Sequence, residues 1–177
     1  GAFHLDVDEV TVAAFARFLS YAAGEYHFHP DQPIERLEWG YAPVAGSEDL
    51  PMHQVTWEAA DHYCRWAGKR LPTESEWERA AAGTEARTYP WGEDGPKCAR
   101  AAYFTSTTHC EEGAIEVGLH PDGDTPDGVH DMAGNVAEWV GDWYGDYPED
   151  TQVDPTGPGD GTLRVIRGGG FLEWSQA

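Results

Sequence analysis

The sequence has few basic residues, few cysteines and no long apolar run. Eleven Lys and Arg stand against thirty-two Asp and Glu, which gives a formal net charge of −21. Binding to nucleic acid depends on neutralising phosphates with basic side chains, and anionic membrane surfaces also attract basic segments. We therefore expect neither as a partner, and we expect no membrane span. The acidity indicates solubility in a salty or extracellular setting, or a field that attracts cations or basic partners.

Only three cysteines are present, and two of them are spaced for a disulfide. Cys98 and Cys110 flank a loop of eleven residues. Such a pair would indicate an oxidising compartment, so a secreted or periplasmic location is favoured over the cytoplasm. Cys64 lies in a helical pattern and is expected to be a buried free thiol. No CxxC or paired-His spacing for zinc is present.

Glycine, proline and aromatic residues are abundant. The sequence contains 21 Gly, 12 Pro, 8 Trp, 8 Tyr and 6 Phe. Aromatic residues spread along the whole chain indicate a packed core, while the Gly and Pro content predicts long loops and little regular structure. We expect residues 1–177 to form one domain. The chain opens at Gly1 without an initiator Met, so we expect a mature form or a fragment.

Apolar periodicity predicts two helices in the first part of the chain. The first covers residues 9–23 and is expected to stop at Gly24. The second covers residues 57–67, with Thr56 as its N-cap. The stretch 24–54 between them is rich in Pro, Gly and acidic residues and is expected to be irregular.

A third helix and two strands follow from shorter patterns. Thr73 and Glu76 have the spacing of a capping box, which predicts a short helix ending near Gly83. Residues 3–8 alternate like a strand, and residues 163–167 read as a strand that runs into three glycines.

The segment 128–139, with the sequence GVHDMAGNVAEW, has no helical or strand periodicity. It carries Asp131 and Glu138 seven positions apart, with Gly134 and Asn135 between them to turn the backbone. Carboxylates and exposed backbone carbonyls on a curled loop are the ligands that Ca²⁺ selects. The sequence therefore predicts a calcium site on this loop.

Seven segments, in this order, resemble the formylglycine-generating-enzyme family, also called the sulfatase-modifying-factor family. They are DEVT at 8–11, VTW at 55–57 with AxxYCxWAG at 60–68, RLPTE at 70–74 with EWE at 76–78, YPWG at 89–92, DMAGNV at 131–136 with EW at 138–139, DWY at 142–144, and RVIRGG at 164–169. The resemblance implies an α+β, loop-rich C-type-lectin-like fold, with short helices packed on small irregular antiparallel sheets.

The resemblance also implies a ligand set for structural Ca²⁺. The set consists of the side chains of Asp131 and Glu138 and the backbone carbonyls of Gly134 and Val136. The alternative is that these acids cap turns and pair with Arg70 or Arg167. The family's second calcium site would fall in residues 99–118, where Ala101, Ala102 and Tyr103 replace its usual Asn, so we do not expect it.

Family enzymes hold copper with a cysteine pair close after the Arg-Gly-Gly turn, and they oxidise a substrate cysteine to formylglycine. Residues 169–177 contain no Cys, and Glu173 stands about where the first cysteine would be. A carboxylate does not replace a thiolate as a Cu(I) ligand. Family members usually continue to further C-terminal strands, and we expect residues 1–177 to lack them, either because the chain is truncated or because its last strands lie elsewhere. We therefore expect no catalytic residue and no copper in this chain.

A related branch, the ergothioneine-type sulfoxide synthases, binds iron through three histidines, most of them from a separate helical domain that we do not find here. His27 and His29 are two positions apart and are candidate metal ligands, although loop or packing roles are favoured. Arg70 is expected to tie loops to carboxylates, and Trp77 to pack in the core. Trp143 or Trp174 would stack on a ligand if exposed.

Fold alone does not assign function. The leading hypothesis is a non-catalytic, calcium-stabilised binding or interaction module that presents a surface near residues 167–174 to a protein or small molecule. Lectin-fold variable proteins use this region in that way. The alternative is a formylglycine-generating oxidase or related modifying enzyme whose catalytic cysteines lie beyond residue 177, or an accessory protein to such an enzyme.

Overall fold

The computed structural model describes residues 1–104 and 110–171, where short helices and two small antiparallel sheets are joined by long loops. In chain order the elements are α1 (Val12–Phe18), a π-helical segment (Leu19–Ala23), α2 (Gly24–His27), β1 (Ile34–Leu37), β2 (Gly40–Pro43), α3 (Trp57–Trp66), α4 (Glu74–Ala82), a 3-10 turn (Pro121–Gly123), β3 (Glu138–Trp143) and β4 (Arg164–Arg167). This α+β architecture with little regular structure confirms the predicted fold class. Within the described residues, no helix is long and apolar enough to cross a membrane.

The first helical region begins later and ends later than predicted. Thr11 caps α1, since its Oγ1 accepts a hydrogen bond from the Ala14 N–H at 3.2 Å. Gly24 does not stop the helical run. It adopts φ 13° and ψ −100° at the junction where the π-helical segment gives way to α2.

The stretch predicted to be irregular contains a hairpin. β1 and β2 pair antiparallel, with Ile34 opposite Pro43 and Leu37 opposite Gly40. Strands of four residues are too short to show a clear alternation of apolar and polar residues, so they could not be predicted from periodicity. The strand predicted at residues 3–8 was wrong, because that segment is not assigned to a strand.

The helices α3 and α4 follow the capping predictions closely. Thr56 Oγ1 accepts from the Ala59 N–H at 3.2 Å, and α3 begins at the next residue. At α4 the capping box is complete: Thr73 Oγ1 accepts from the Glu76 N–H, and the Glu76 carboxylate accepts from the Thr73 N–H.

The second sheet pairs β3 with β4 antiparallel. Glu138 lies opposite Arg167 and Trp143 lies opposite Arg164, with a bulge between the two pairs. β4 was predicted, whereas β3 was not, because its sequence EWVGDW mixes acids, a glycine and aromatics without alternation.

Two apolar clusters form the core. The first joins α1, the hairpin and α3 through Val12, Phe15, Ala16, Phe18, Leu19, Ile34, Tyr41, Met52 and Ala59. The second joins α4 to the second sheet through Trp77, Ala81, Met132, Val140 and Val165. Trp77 thus packs in the core as predicted, and Met132 brings the 128–139 loop into the second cluster.

A disulfide joins Cys98 and Cys110, whose Cα atoms lie 4.9 Å apart, as the sequence predicted. Cys64 is a free, partly buried thiol in α3. Burial, with a smaller contribution from the nearby charge of Asp6, raises the pKa of this thiol to about 11. The thiol form is therefore strongly favoured at neutral pH.

Candidate functional site

Backbone conformation makes the 128–139 loop curl. Asp131, Gly134 and Asn135 have φ values of 51°, 100° and 56°, and Asp, Asn and Gly are the residues that tolerate this left-handed region best. A Cβ at Gly134 would lie 2.4 Å from the carbonyl oxygen of Ala102, so only glycine fits there. The Gly134 N–H donates to the carbonyl of Gly168 at 2.9 Å, which ties the loop to the end of β4.

Asn135 anchors the loop from within. It is 1% exposed. Its side-chain oxygen accepts from the Ile115 N–H at 3.0 Å, and its Nδ2 donates to Glu9 Oε2 at 2.7 Å and to the Ile115 carbonyl at 3.2 Å. Glu9 Oε1 also accepts from the Val136 N–H at 3.1 Å. Glu9 therefore holds two successive residues of the loop.

Sequence reasoning missed Glu9 as a site residue. Glu9 lies 126 positions before Asn135, and its place at the start of an apolar helical pattern gave it a helix-starting role instead. The available signal was its position in the DEVT segment, one of the seven that resemble the family.

Asp131 lies near the start of the 128–139 loop, and Glu138 lies near its end. Asp131 is 8% exposed, and its Oδ2 accepts from the Gly118 N–H at 2.7 Å. Glu138 is partly buried at the first position of β3, and its Oε2 accepts from Trp77 Nε1 at 2.5 Å. Within residues 1–104 and 110–171, each carboxylate thus has one oxygen in a hydrogen bond and a second oxygen without such a partner.

These carboxylates are close enough to repel one another. The pKa of Glu138 is raised to about 7, chiefly by desolvation. The hydrogen bond from Trp77 opposes this rise, and the charge of Asp131 contributes to it. The pKa of Glu9 is raised well above its ordinary value, first by burial and then by Glu138 and Asp131. Burial and neighbouring carboxylates thus disfavour the ionised forms of Glu9 and Glu138, which creates a demand for positive charge.

The two arginines considered as partners for these acids pair elsewhere. Arg70 makes a bidentate contact with Glu76, at 2.7 Å to each oxygen, which confirms its role in tying a loop to a carboxylate. Arg167 faces Glu74 at 3.6 Å and Glu78 at 3.9 Å. The alternative role of these acids is supported in one part, because Asp131 accepts a hydrogen bond from the Gly118 N–H as a turn-capping acid would. Arg70 and Arg167 instead form their ion pairs with Glu76, Glu74 and Glu78.

Side chains alone do not form a metal cage here. In residues 1–104 and 110–171 no three or more His, Cys, Asp and Glu side chains are grouped to hold a metal ion. A calcium site on the loop therefore requires main-chain oxygens as well. The N–H groups of Gly134 and Val136 are already used by Gly168 and Glu9, so the carbonyls are what these residues have left to offer. A cavity of about 400 Å³ reaches Glu9, Val136 and Glu138.

The segment 99–118 packs against the loop. The carbonyl of Ala102 accepts from the Asn135 N–H at 2.9 Å, and Ala101, Ala102 and Tyr103 are buried. The disulfide closes this segment, whose residues 105–109 lie outside the described part of the chain. The prediction that the second calcium site is absent stays a prediction.

A second cavity, of about 430 Å³, lies beside the Arg-Gly-Gly turn. We call it the aromatic cleft, and its walls include Trp77, Tyr89, Trp91, Tyr103 and the glycines 168–170. The rings of Tyr89 and Trp91 stack with centroids 5.3 Å apart and planes 1° from parallel. This stack gives the cleft a preformed flat wall.

The prediction that an exposed Trp143 or Trp174 would stack on a ligand can be compared with the structure at Trp143 alone. The ring of Trp143 is covered by the Arg164 guanidinium at 3.4 Å, and Trp57 lies 3.6 Å from the same guanidinium, so Trp143 is part of a structural sandwich. Trp174 and Glu173 lie outside the described residues.

Comparison with known proteins identifies the family to which the chain belongs. The family described as the sulfatase-modifying factor enzyme 1-like domain matches residues 1–177, and the chain belongs to this family. It is 39% identical over 216 residues to the formylglycine-generating enzyme of Streptomyces coelicolor, covering 96% of this chain and 68% of that protein. It is 40% identical over 180 residues to the serine/threonine-protein kinase pkn1 of Chlamydia pneumoniae, covering 95% of this chain but only 28% of the kinase.

The fold also matches a solved structure. The crystal structure of CarF superposes with a TM-score of 0.65 over 98% of this chain and 78% of CarF. At 16% sequence identity this likeness concerns the fold alone. Together these matches confirm the family and fold that the seven segments predicted.

Proposed function

We propose that this chain is a non-catalytic binding module on a formylglycine-generating-enzyme-like scaffold, and that structural Ca²⁺ stabilises it. The observation that carries the proposal is the environment of Glu138, where burial first and the charge of Asp131 second raise its pKa to about 7, together with Glu9, whose pKa is raised by burial and by both of these acids. A divalent cation favours the ionised form of these acids and offsets their repulsion.

The residues present fit a hard cation. Asp131 and Glu138 each supply a carboxylate oxygen, and Gly134 and Val136 supply carbonyls from a curled backbone, which is an all-oxygen donor set. Ca²⁺ takes about six to eight oxygens, so water would complete the shell. Bound there, the cation would supply positive charge that fixes the loop between α4 and the second sheet.

The aromatic cleft is the proposed recognition surface. It lies next to the 168–170 turn, and Gly134 and Gly168 both reach its wall, so the calcium loop and the cleft share a border. An aromatic wall with stacked rings suits a small molecule or a protein segment that carries an apolar or flat group. The net charge of −21 supports neither nucleic acid nor an anionic membrane surface as partner.

The cysteines support the non-catalytic assignment. Cys98 and Cys110 are joined to each other, and Cys64 is a lone thiol whose pKa is raised to about 11. These three residues supply no pair of thiolates for a soft Cu(I) ion. The disulfide also supports a secreted or periplasmic location, where oxidising conditions preserve such bonds.

The second candidate is an oxidase or related modifying enzyme with cysteines beyond residue 177, and the 39% identity to a formylglycine-generating enzyme favours it. A cysteine-containing peptide incubated in air with Cu(I) and the full-length protein, including any residues beyond 177, separates the two. We expect the peptide to be recovered with its cysteine unchanged. Conversion of that cysteine to an aldehyde by the full-length protein would overturn the non-catalytic assignment.

Terbium luminescence tests the calcium site directly. Tb³⁺ occupies oxygen sites made for Ca²⁺, and the indole of Trp77, which donates to Glu138, would sensitise its emission. We expect saturable emission that Ca²⁺ displaces and that Asp131→Asn or Glu138→Gln removes. Asp160→Asn, which removes the same charge from an exposed loop, is the matched control and should leave the emission intact. Emission that is absent, or equal in all variants, would contradict the site.

A further inference from the structure

We propose that His27 and His62 form a surface site for a divalent transition-metal ion of the Zn²⁺, Ni²⁺ and Cu²⁺ class, distinct from the calcium loop. His27 Nε2 lies 2.8 Å from His62 Nδ1, and the two ring centroids are 4.9 Å apart at an interplanar angle of 71°. Two imidazole nitrogens that face each other at this distance are a ready pair of ligands for these ions.

The two histidines come from different elements and are held in place. His27 ends α2, and its ring stacks on Phe18 with centroids 5.9 Å apart and planes 21° from parallel. Gln32, 5% exposed, donates from Nε2 to the His27 carbonyl at 3.1 Å. His62 is exposed in α3, a regular helix capped by Thr56. The ring of His27 is therefore supported by the first apolar cluster, and the backbone of His62 is held in the regular helix α3.

Little rearrangement separates the hydrogen-bonded pair from a metal-bound pair. With metal–nitrogen bonds of about 2.0–2.1 Å in a tetrahedral site, the two nitrogens sit about 3.3 Å apart. The rings must therefore separate by about half an ångström. In the free pair one facing nitrogen carries the proton. That proton moves to the other nitrogen of the same ring, so two neutral imidazoles bind the metal without net proton release.

The rest of the coordination shell is open. Glu58 lies one turn before His62 on α3 and is exposed, which places a carboxylate on the same helix face. It is not grouped with the histidines as a third ligand, since the described ranges contain no group of three such residues. Water therefore completes the shell, and the site is open to a bridging ligand from a partner.

The structure also separates this pair from the one that the sequence suggested. His29 Nδ1 accepts from the Asp31 N–H at 3.3 Å and faces the Asp31 carboxylate at 3.6 Å. It is thus engaged with its own turn. The metal partner of His27 is a residue 35 positions away in the chain, which no local spacing could indicate.

Zn²⁺ titration of the calcium-saturated protein by calorimetry tests the proposal, because saturating Ca²⁺ keeps the acidic loop out of the signal. We expect one binding event that is lost in His62→Ala and in His27→Ala. His29→Ala and His4→Ala, which remove other histidines of the same region or of the chain start, are controls and should bind as the unmodified chain does. Near-UV circular dichroism checks that each variant keeps its tertiary packing.

Electron paramagnetic resonance of bound Cu²⁺ adds a readout of ligand type. The expected spectrum has hyperfine structure from two imidazole nitrogens, reduced to one or none in His62→Ala, whose exposed side chain can be removed without disturbing the core. Zn²⁺ binding that survives His62→Ala, or that is lost equally in His29→Ala, would overturn the assignment. Neither result bears on the calcium loop, so the two proposals fail separately.

Discussion

The two halves of the molecule are held together by different forces. Around α1 and α3, Phe15 packs against Phe18 and Tyr63 with ring centroids 5.3 and 5.8 Å apart. Around the 128–139 loop, Met132 joins the second apolar cluster, but the loop is also held by polar groups: the buried amide of Asn135 and the half-buried carboxylate of Glu9. Apolar packing is stable without ions, whereas buried acids persist only when their charge is balanced. Under the proposed function, we therefore expect Ca²⁺ to stabilise the half that contains the 128–139 loop and not the half around α1 and α3.

The largest effect is expected from the apolar half. Phe15→Ala removes a 2% exposed ring, and we expect a loss of about 3–5 kcal/mol in the free energy of unfolding. Denaturant unfolding with and without Ca²⁺ measures it. The calcium-dependent increment should be the same as in the unmodified chain. A Phe15→Ala variant that no longer responds to Ca²⁺ would contradict the claim that Ca²⁺ acts on the other half alone.

A smaller but ion-linked effect is expected from Asn135→Ala. The change removes the partner of Glu9 Oε2 and of both main-chain groups of Ile115. We expect a total loss of about 1–3 kcal/mol in the free energy of unfolding, because Glu9 and Ile115 are half-buried and water replaces part of this hydrogen bonding. It should also weaken Tb³⁺ and Ca²⁺ binding, because the loop loses its anchor.

Gln32→Ala is the matched control for Asn135→Ala. Gln32 is a buried amide of the other half, where it contacts the main chain of His27, His29 and Gln54. It should destabilise the protein without changing calcium affinity. Equal loss of calcium affinity in both variants would show that the loop has no special coupling to Asn135.

Local patterns predicted those features that depend on local chemistry. The caps at Thr56 and Thr73 follow from one side chain and one N–H three residues away, and the sequence contains both groups. The disulfide likewise followed from spacing. The β1–β2 hairpin was missed because four-residue strands carry almost no periodic signal.

Features that depend on distant contacts could not be predicted. Glu9 reaches the loop across 126 positions, and the His27–His62 contact spans 35. Helical periodicity assigned Glu9 to a helix start, although α1 begins three residues later. The calcium ligands proposed for the loop came from the resemblance to the family, since a short irregular segment does not reveal which carbonyls turn inward.

The smallest effect expected is pH dependence at Glu76. The hydrogen bond from Arg70 lowers the pKa of Glu76 from 4.5 to about 2, with burial opposing. Because the folded-state pKa lies below the unfolded value, this contribution is present above about pH 4.5 and is lost as pH falls toward 2.

Urea unfolding between pH 5 and 2 measures this contribution, and Glu76→Gln should remove part of the acid-side slope. Glu78→Gln, a change at an exposed acid of the same helix, should not. If the slopes of the two variants agree, the Arg70–Glu76 contact contributes nothing measurable and the capping box acts through Thr73 alone.

The melting temperature of the protein with and without Ca²⁺ tests the central claim most directly. A ligand that binds only the native state stabilises it by about 2.7 kcal/mol at a hundred times its dissociation constant. For a chain of this size that corresponds to a rise of about 5–10 °C. We expect chelation to lower the melting temperature, added Ca²⁺ to restore it, and Glu138→Gln to abolish the response while Asp160→Asn keeps it. A melting temperature that does not change with Ca²⁺ would contradict the account.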